Sequence, residues 1–204
     1  MTEAEVEHAL AAIRAGKLAV IPTDTVYGLV CTPYREDSVR ELSELKGRSS
    51  RQPIALVAAT VDVLFMCVPE LRTGAAAIVH ELLPGPYTLV IENPARRFSW
   101  LAGARPDALG VRVPDVVGAA HDLLERVGAV AATSANLHGG VDPRRLADVP
   151  EGILSAVAVA LDGGELPGIP STVLDLTAAE PRVLREGAVS AAAALARVAA
   201  IRDV

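Results

Sequence analysis

Apolar residues along the chain fall into short runs, and the spacing within each run separates helices from strands. In Glu36–Lys46, apolar residues recur at every third position, which predicts an amphipathic helix. In Leu18–Ile21 they are continuous until Pro22, and proline cannot donate to a sheet ladder. This run therefore predicts a buried strand that ends at Ile21.

The same criteria predict the remaining elements of a mixed fold. Further strands are predicted at Ile54–Ala58, Thr88–Ile91, Gly110–Val113, Ala129–Ala132, Val157–Leu161, Thr172–Asp175 and Val183–Leu184. Further helices are predicted at Val6–Arg14, Val61–Phe65, Gly74–Leu82, Val116–Val127 and Ala191–Ala200. Because helices and strands interleave without a linker or repeat, we expect one α/β or α+β domain, over residues 1–204, around a twisted sheet. The pattern does not give the strand order.

Composition narrows the class of protein. Hydrophobic residues make up 51% of the 204 residues and aromatics only 3%, so alanine, valine and leucine must fill the core of a globular chain. The net charge of −6 argues against a protein that binds nucleic acid mainly through bulk electrostatics. Local clusters of positive charge remain compatible with it.

The cysteines, the histidines and the N-terminal sequence lead to further predictions about metal binding and cellular location. Cys31 and Cys67 follow no metal-ligand spacing and have apolar neighbours, so we interpret them as reduced core thiols. The four histidines are scattered, which argues against a zinc site. The N-terminus lacks a basic region followed by an apolar run, and the apolar runs elsewhere are too short to cross a bilayer. These features predict a soluble, cytoplasmic protein without membrane contact.

Polar residues cluster where apolar segments end. The common nucleotide and hydrolase signatures, including the P-loop and the G-x-G-x-x-G loop, are absent from the sequence. Seven polar pieces take their place: Thr23–Thr25, Lys46–Pro53, Pro84–Thr88, Gly110–Pro114, Ala132–Asn136, Pro170–Thr172 and Leu184–Gly187. In open α/β sheets, ligand sites gather at such strand ends.

Each piece also has a purely structural interpretation. Thr23–Thr25 is compatible with a strand terminator whose side chains cap a helix, and the basic loop with a solvated surface. Arg112 is different because an arginine between two valines is costly to bury unless it is paired or binds an anion. The alternative is that Arg112 points outward from a half-exposed strand.

Taken together, the pieces predict an anion-binding pocket in an acidic protein. The cations that they supply are Lys46, Arg48, Arg51, Arg112 and Arg185. Arginine suits this purpose because its planar fork holds phosphate or carboxylate at two points. The hydroxyl and amide groups of Thr25, Ser134, Asn136 and Ser171 would then orient a polar metabolite.

The pieces also carry a family resemblance. The sequence contains, in order, IPTDTVYGL, KGRSSRQPI, LLPGPYTLV, GVRVP, TSAN, PSTVLDL and VLREG. It resembles the YrdC-like threonylcarbamoyl-AMP synthases over nearly the whole chain, from about Leu10 to Val189. The resemblance implies an α/β fold with a twisted, open mixed sheet, flanked by helices, and a large positively charged cavity. The implied activity is that of a nucleotidyltransferase that forms threonylcarbamoyl-adenylate and pyrophosphate from L-threonine, bicarbonate and ATP.

The resemblance also implies residue roles and partners. Lys46 and Arg48 would be catalytic and contact the phosphates. The implied threonine contacts are Thr25, Arg112 and Ser171, and the implied ATP contacts are Lys46, Arg48, Gln52, Ser134, Asn136 and Arg185. Mg²⁺ would accompany ATP, with no metal ligand assigned in the chain. A tRNA-modifying transferase complex would receive the product, and direct tRNA binding would be weak or absent.

The chain departs from the family pattern at several positions, which keeps alternatives open. The positions are Ser49, Gln52, Ala108, His138 and Glu186. Glu186 stands where proline is usual and would bring an anion close to Arg185. The main alternative is a paralogue, non-catalytic or of different specificity, that binds nucleotide or RNA. A second is a carbamoyl-handling domain separated from a larger maturation enzyme.

Overall fold

The computed structural model describes residues 1–49 and 51–202, so Ser50 of the predicted basic loop lies outside the described residues. The strands are β1 (Ala19–Ile21), β2 (Gly28–Cys31), β3 (Ala55–Ala58), β4 (Tyr87–Glu92), β5 (Ala108–Arg112), β6 (Ala129–Ser134), β7 (Val159–Ala160), β8 (Thr172–Asp175) and β9 (Arg182–Arg185). The helices are α1 (Glu3–Arg14), α2 (Glu36–Leu45), α3 (Val61–Cys67), α4 (Leu71–Gly74), α5 (Ala76–Leu82), α6 (Ala119–Val127), α7 (Glu151–Leu154) and α8 (Ala191–Arg202). Among the described residues, no helix has the length and apolar character needed to cross a membrane.

The predicted elements are present with shifted ends, but β2 was not predicted. It pairs antiparallel with β1 on one side and with β6 on the other, and all four of its residues are buried. Its sequence opens with Gly28, and glycine is depleted in strands. The run is also too short to show alternation, so only its pairing partners identify it as a strand. The short helices α4 and α7 were likewise not predicted.

The strands form one mixed sheet in the order β7-β1-β2-β6-β3-β5-β4-β8-β9. Three pairs are parallel, namely β1 with β7, β3 with β5 and β4 with β8. The other neighbours are antiparallel. The structure therefore confirms the α/β class with a mixed sheet flanked by helices, and it supplies the strand order that the sequence did not give.

The two faces of the sheet are covered differently, because successive strand residues point to opposite sides. Leu56 and Val111 belong to a core cluster that includes residues of α2, α3, α5 and α8. Val57, the next residue after Leu56, belongs to a second cluster beneath α1 and α6. None of the described residues of β4, β5, β8 or β9 contributes to this second cluster. Helices α1 and α6 thus leave the β5-β4-β8-β9 part of that face uncovered.

The two cysteines differ in their surroundings. Cys31 is fully buried in β2, and burial raises the pKa of its thiol to about 12. Cys67 is free but only half-buried at the end of α3, where its sulfur lies 3.6 Å from the hydroxyl of Tyr34. Both thiols are free, and the interpretation as a core thiol is correct for Cys31, whereas Cys67 is only partly buried and packs against the core from outside. The end of α3 reaches the surface, as the exposed Met66 beside Cys67 also shows.

Candidate active site

A cavity of about 500 Å³ lies over the uncovered part of the sheet and the adjoining parts of β3 and β6. Its volume is in the range of small-molecule sites. Small strand residues line it, among them Ala55, Ala108, Gly110 and Ala132. Its polar lining comprises Thr23, Thr25, Arg48, Arg51, Thr88, Arg105, Arg112, Thr133, Ser134, Ser171 and Arg185. The lining in the described part of the chain contains five arginines and no acidic residue.

Arg112 lies on the cavity face of β5 and is only 8% exposed. Its Nη2 donates to Oδ1 of Asp24 and, at 2.9 Å, to the hydroxyl of Thr25. Neither Nη1 nor the buried Nε has a hydrogen-bond partner among the described residues. Arg112 is therefore buried and paired, which is the condition that the sequence set for burying it, and its Nη1 has no acceptor among the described residues.

The Thr23–Thr25 turn brings its polar groups to Arg112. The hydroxyl of Thr23 accepts the N–H groups of Thr25 and Val26 at 3.2 and 3.3 Å and donates to the Val26 carbonyl at 2.7 Å. These bonds reverse the chain between β1 and β2. Because β2 follows the turn, the interpretation of Thr23–Thr25 as a helix cap is wrong.

A second arginine approaches the cavity from β9. Arg185 donates through Nε and Nη2 to the carbonyl of Ser171 at 3.2 and 2.9 Å, and Nη2 lies 3.1 Å from the Ser171 hydroxyl. That hydroxyl is 2.8 Å from the hydroxyl of Thr88 on β4. Burial lowers the pKa of Arg185, the Asp142 carboxylate opposes this shift, and the Arg112 guanidinium adds to it. The two guanidinium groups therefore share one electrostatic environment.

Arg48 lines the cavity from the loop after α2. Its three nitrogens donate to Oε1 of Gln52 at 3.1 Å, to the Thr133 hydroxyl at 3.0 Å and to the Pro53 carbonyl at 3.0 Å. All three acceptors are neutral, and burial lowers the pKa of Arg48. They fix the guanidinium without cancelling its charge, which suits it to an anionic ligand.

Lys46 lies behind the cavity wall and is 5% exposed. Its Nζ donates to the carbonyls of Ser134 and Asn136 at 2.6 and 2.8 Å and to Oδ1 of Asn136, and it lies 3.3 Å from the Ser134 hydroxyl. Burial and repulsion from Arg48 lower the pKa of Lys46 to about 8. The ammonium therefore ties the end of α2 to the loop after β6 and has no donor left for a ligand.

The structure brings most of the predicted site residues together. The cavity is lined by Thr25, Arg48, Arg112, Ser134, Ser171 and Arg185. Lys46, Gln52 and Asn136 are not in the lining, and each instead bonds to a lining residue or to its neighbours. Their predicted contacts with substrate stay predictions, but their positions in this structure favour an indirect role.

Arg105 is a lining residue that the sequence did not single out. Its Nη1 lies 3.0 Å from Oδ2 of the buried Asp175, and its Nη2 donates to the Thr177 hydroxyl at 2.8 Å. In the sequence, the feature that could have pointed to this loop is Gly103, two residues before Arg105. Its φ is +62°, and a Cβ added there would lie only 2.8 Å from the nitrogen of Pro53. A glycine is required there, and it packs the Arg105 loop against the basic loop.

Glu186 has a structural explanation. Its Oε2 accepts the N–H of Ala191 at 2.8 Å, so its carboxylate caps the first turn of α8. The sequence predicted that the Glu186 carboxylate would lie close to Arg185. In the structure this carboxylate instead accepts from the N–H of Ala191. Among the described residues, no group of three or more His, Cys, Asp or Glu side chains is arranged to hold a metal ion.

The chain matches a known protein family over most of its length. The family model Sua5_yciO_yrdC, with the description "Telomere recombination", matches residues 11–187. The chain belongs to the Sua5/YciO/YrdC family. This membership accounts for the order of the seven motifs and for the shared fold.

Relatives of the chain include proteins named threonylcarbamoyl-AMP synthase. The protein from Vibrio parahaemolyticus is 31% identical over 190 residues, which cover 89% of this chain and 98% of the relative. The one from Pyrococcus abyssi is 34% identical over 178 residues, covering 86% of this chain and 52% of the relative. The structure of P. abyssi Sua5 in complex with L-threonine matches with a TM-score of 0.81 and 33% identity, covering 92% of this chain and 55% of that one. The chain thus spans about half the length of the P. abyssi protein.

Proposed function

We propose that this protein is a threonylcarbamoyl-AMP synthase, a nucleotidyltransferase that uses L-threonine, bicarbonate and ATP. The observation that carries the proposal is that Arg112 and Arg185 line one cavity together with the hydroxyls of Thr25, Thr88 and Ser171. An α-amino acid needs such a combination of a fixed cation and directional hydroxyl groups. The threonine-bound relative supports the same assignment, and the non-catalytic alternative has no comparable support.

In this proposal, different arginines bind threonine and ATP. The unused donors of Arg112 bind the threonine carboxylate, with Thr25 and Ser171 close by. Arg48 and Arg185, whose protein partners are neutral, bind the phosphates of ATP. Ser134 faces the nucleotide, while Lys46, Asn136 and Gln52 hold Ser134 and Arg48 in place from behind the wall.

The chemistry requires no covalent enzyme intermediate. The threonine amine attacks the carbon of bicarbonate, and water leaves to give a carbamate. A carbamate oxygen then attacks the α-phosphorus of ATP, the bond to the β-phosphate oxygen breaks, and pyrophosphate leaves. The protein contributes by holding the reactants in line and by placing cations near the developing charge. Holding the reactants in the cavity would also limit hydrolysis of the carbamate and the mixed anhydride.

Magnesium would reach the site on the nucleotide. The described cavity lining offers arginines and hydroxyls but no carboxylate, so the phosphate oxygens and water would supply most of the ligands of Mg²⁺. The ion would then neutralise charge on the leaving pyrophosphate. We further propose that the product passes to a tRNA-modifying transferase complex, since the net charge of −6 disfavours direct tRNA binding.

The proposal predicts that the protein releases pyrophosphate from ATP only when L-threonine is present. The assay contains ATP, Mg²⁺ and bicarbonate, with either L-threonine or L-serine. Release with threonine and little with serine supports the proposal. If AMP or RNA binds but no threonine-dependent conversion of ATP occurs, the paralogue interpretation replaces it.

A further inference from the structure

The five arginines of the cavity lining fall into two electrostatic classes. Arg112 and Arg105 form ion pairs with carboxylates, those of Asp24 and Asp175. Arg48, Arg51 and Arg185 have no carboxylate oxygen within 4.0 Å among the described residues. Of the two paired arginines, only Arg112 is buried, since the side chain of Arg105 is 48% exposed.

The Asp24 carboxylate, like the guanidinium of Arg112, is fixed in position by hydrogen bonds. One carboxylate oxygen accepts from Arg112, and the other accepts the backbone N–H of Asp115 at 3.1 Å. The side chains of Asp24 and Arg112 are 9% and 10% exposed, so solvent screens their interaction weakly. Asp24 thereby connects the turn after β1 to the segment after β5 and fixes the orientation of the guanidinium.

This pairing makes the Arg112 end of the cavity nearly neutral, while Nη1 of Arg112 keeps no protein acceptor among the described residues. A monoanionic carboxylate can accept from this nitrogen and meets little net repulsion. A polyphosphate carries several negative charges, and the fixed Asp24 carboxylate repels each of them. The unpaired Arg48, Arg51 and Arg185 have no directly bonded countercharge and favour the polyanion. The Asp142 carboxylate acts on Arg185, but only from beyond ion-pair distance.

We propose that Asp24 is a specificity-determining residue that reserves Arg112 for the amino-acid carboxylate and excludes phosphate groups from it. The inference rests on the proposed function for the identity of the two ligands. Specificity of this kind is a difference of two affinities, and a like charge placed against the wrong ligand is an economical way to create it. A residue that only maintained the fold would not produce this selectivity.

The test compares Asp24→Asn with Asp115→Asn by calorimetric titration of L-threonine and of inorganic pyrophosphate. Asparagine removes the charge and keeps one oxygen that can accept from Arg112, while its amide nitrogen replaces the oxygen that accepts the Asp115 N–H. Asp115→Asn removes one charge from the same region and leaves the Asp115 backbone N–H unchanged. In Asp24→Asn we expect the ratio of pyrophosphate affinity to threonine affinity to rise by roughly tenfold or more, with an absolute gain in pyrophosphate binding. In Asp115→Asn the ratio should stay near that of the unmodified protein.

A gain of pyrophosphate binding cannot result from structural damage, which separates the proposed role from a purely structural one. An unchanged ratio in Asp24→Asn, or an equal shift in Asp115→Asn, would overturn the proposal. If Asp24→Asn does not fold, Asp24→Ser gives the same comparison. Failure of the unmodified protein to convert ATP with threonine would refute the proposed function, whereas the pyrophosphate titrations decide the role of Asp24.

Discussion

Replacement of Arg112 by alanine is expected to weaken L-threonine binding by about 2–5 kcal/mol, the range for truncation of one partner in a buried charged pair. The change removes the donors available to the threonine carboxylate. It also leaves the Asp24 carboxylate without its cation, and that carboxylate then repels the ligand. Threonine-dependent pyrophosphate release should fall with the affinity. Calorimetric titration with L-threonine measures this change in binding free energy directly.

Arg182→Ala is the matched control for Arg112→Ala. Arg182 lies at the start of β9, is exposed and is not part of the cavity lining. Its replacement removes one positive charge from the protein and should leave threonine affinity unchanged. The role assigned to Arg112 is refuted if Arg112→Ala keeps the thermal stability and the threonine affinity of the unmodified protein.

Replacement of Lys46 by methionine is expected to lower the free energy of unfolding by about 3 kcal/mol. Removing a buried charge can stabilise a protein when its partners are replaced as well. Here the partners include the backbone carbonyls of Ser134 and Asn136, which remain in place without a donor. A buried acceptor left unsatisfied costs about 1–3 kcal/mol, so the loss exceeds the gain from removing the charge. For a chain of this size, the midpoint of thermal unfolding should fall by roughly 6–12 °C.

The sequence contains only one other lysine, Lys17, which is exposed. Lys17→Met is therefore the matched control and should change the midpoint little. Lys46→Met should also reduce turnover, because Ser134 lines the cavity and loses its support. Equal midpoints for the two variants would contradict the structural role of Lys46.

The site could be predicted from the sequence because its polar residues lie at the ends of strands. Apolar runs that stop at polar residues mark such ends, and Arg112 between two valines has few explanations other than pairing or ligand binding. The predicted group of Thr25, Arg48, Arg112, Ser134, Ser171 and Arg185 consequently coincides with part of the cavity lining.

Other features depend on contacts between distant segments, which local patterns do not contain. Strand β2 is identified by its pairing with β1 and β6, and the strand order follows from the same long-range pairing. The position of Lys46 behind the wall depends on carbonyls about 90 residues further along the chain. The pairing of Asp24 with Arg112 spans a similar separation. Charge patterns along the sequence cannot show which cations of a pocket are already neutralised.

The convergence of an amino-acid subsite and a nucleotide subsite in one cavity is tested most directly by a crystal structure with L-threonine and a non-hydrolysable ATP analogue. We expect the threonine carboxylate to contact Nη1 of Arg112, and the phosphates to contact Arg48 and Arg185. Threonine bound elsewhere, or phosphates bound to Arg112 beside Asp24, would contradict both the proposed function and the division of the arginines.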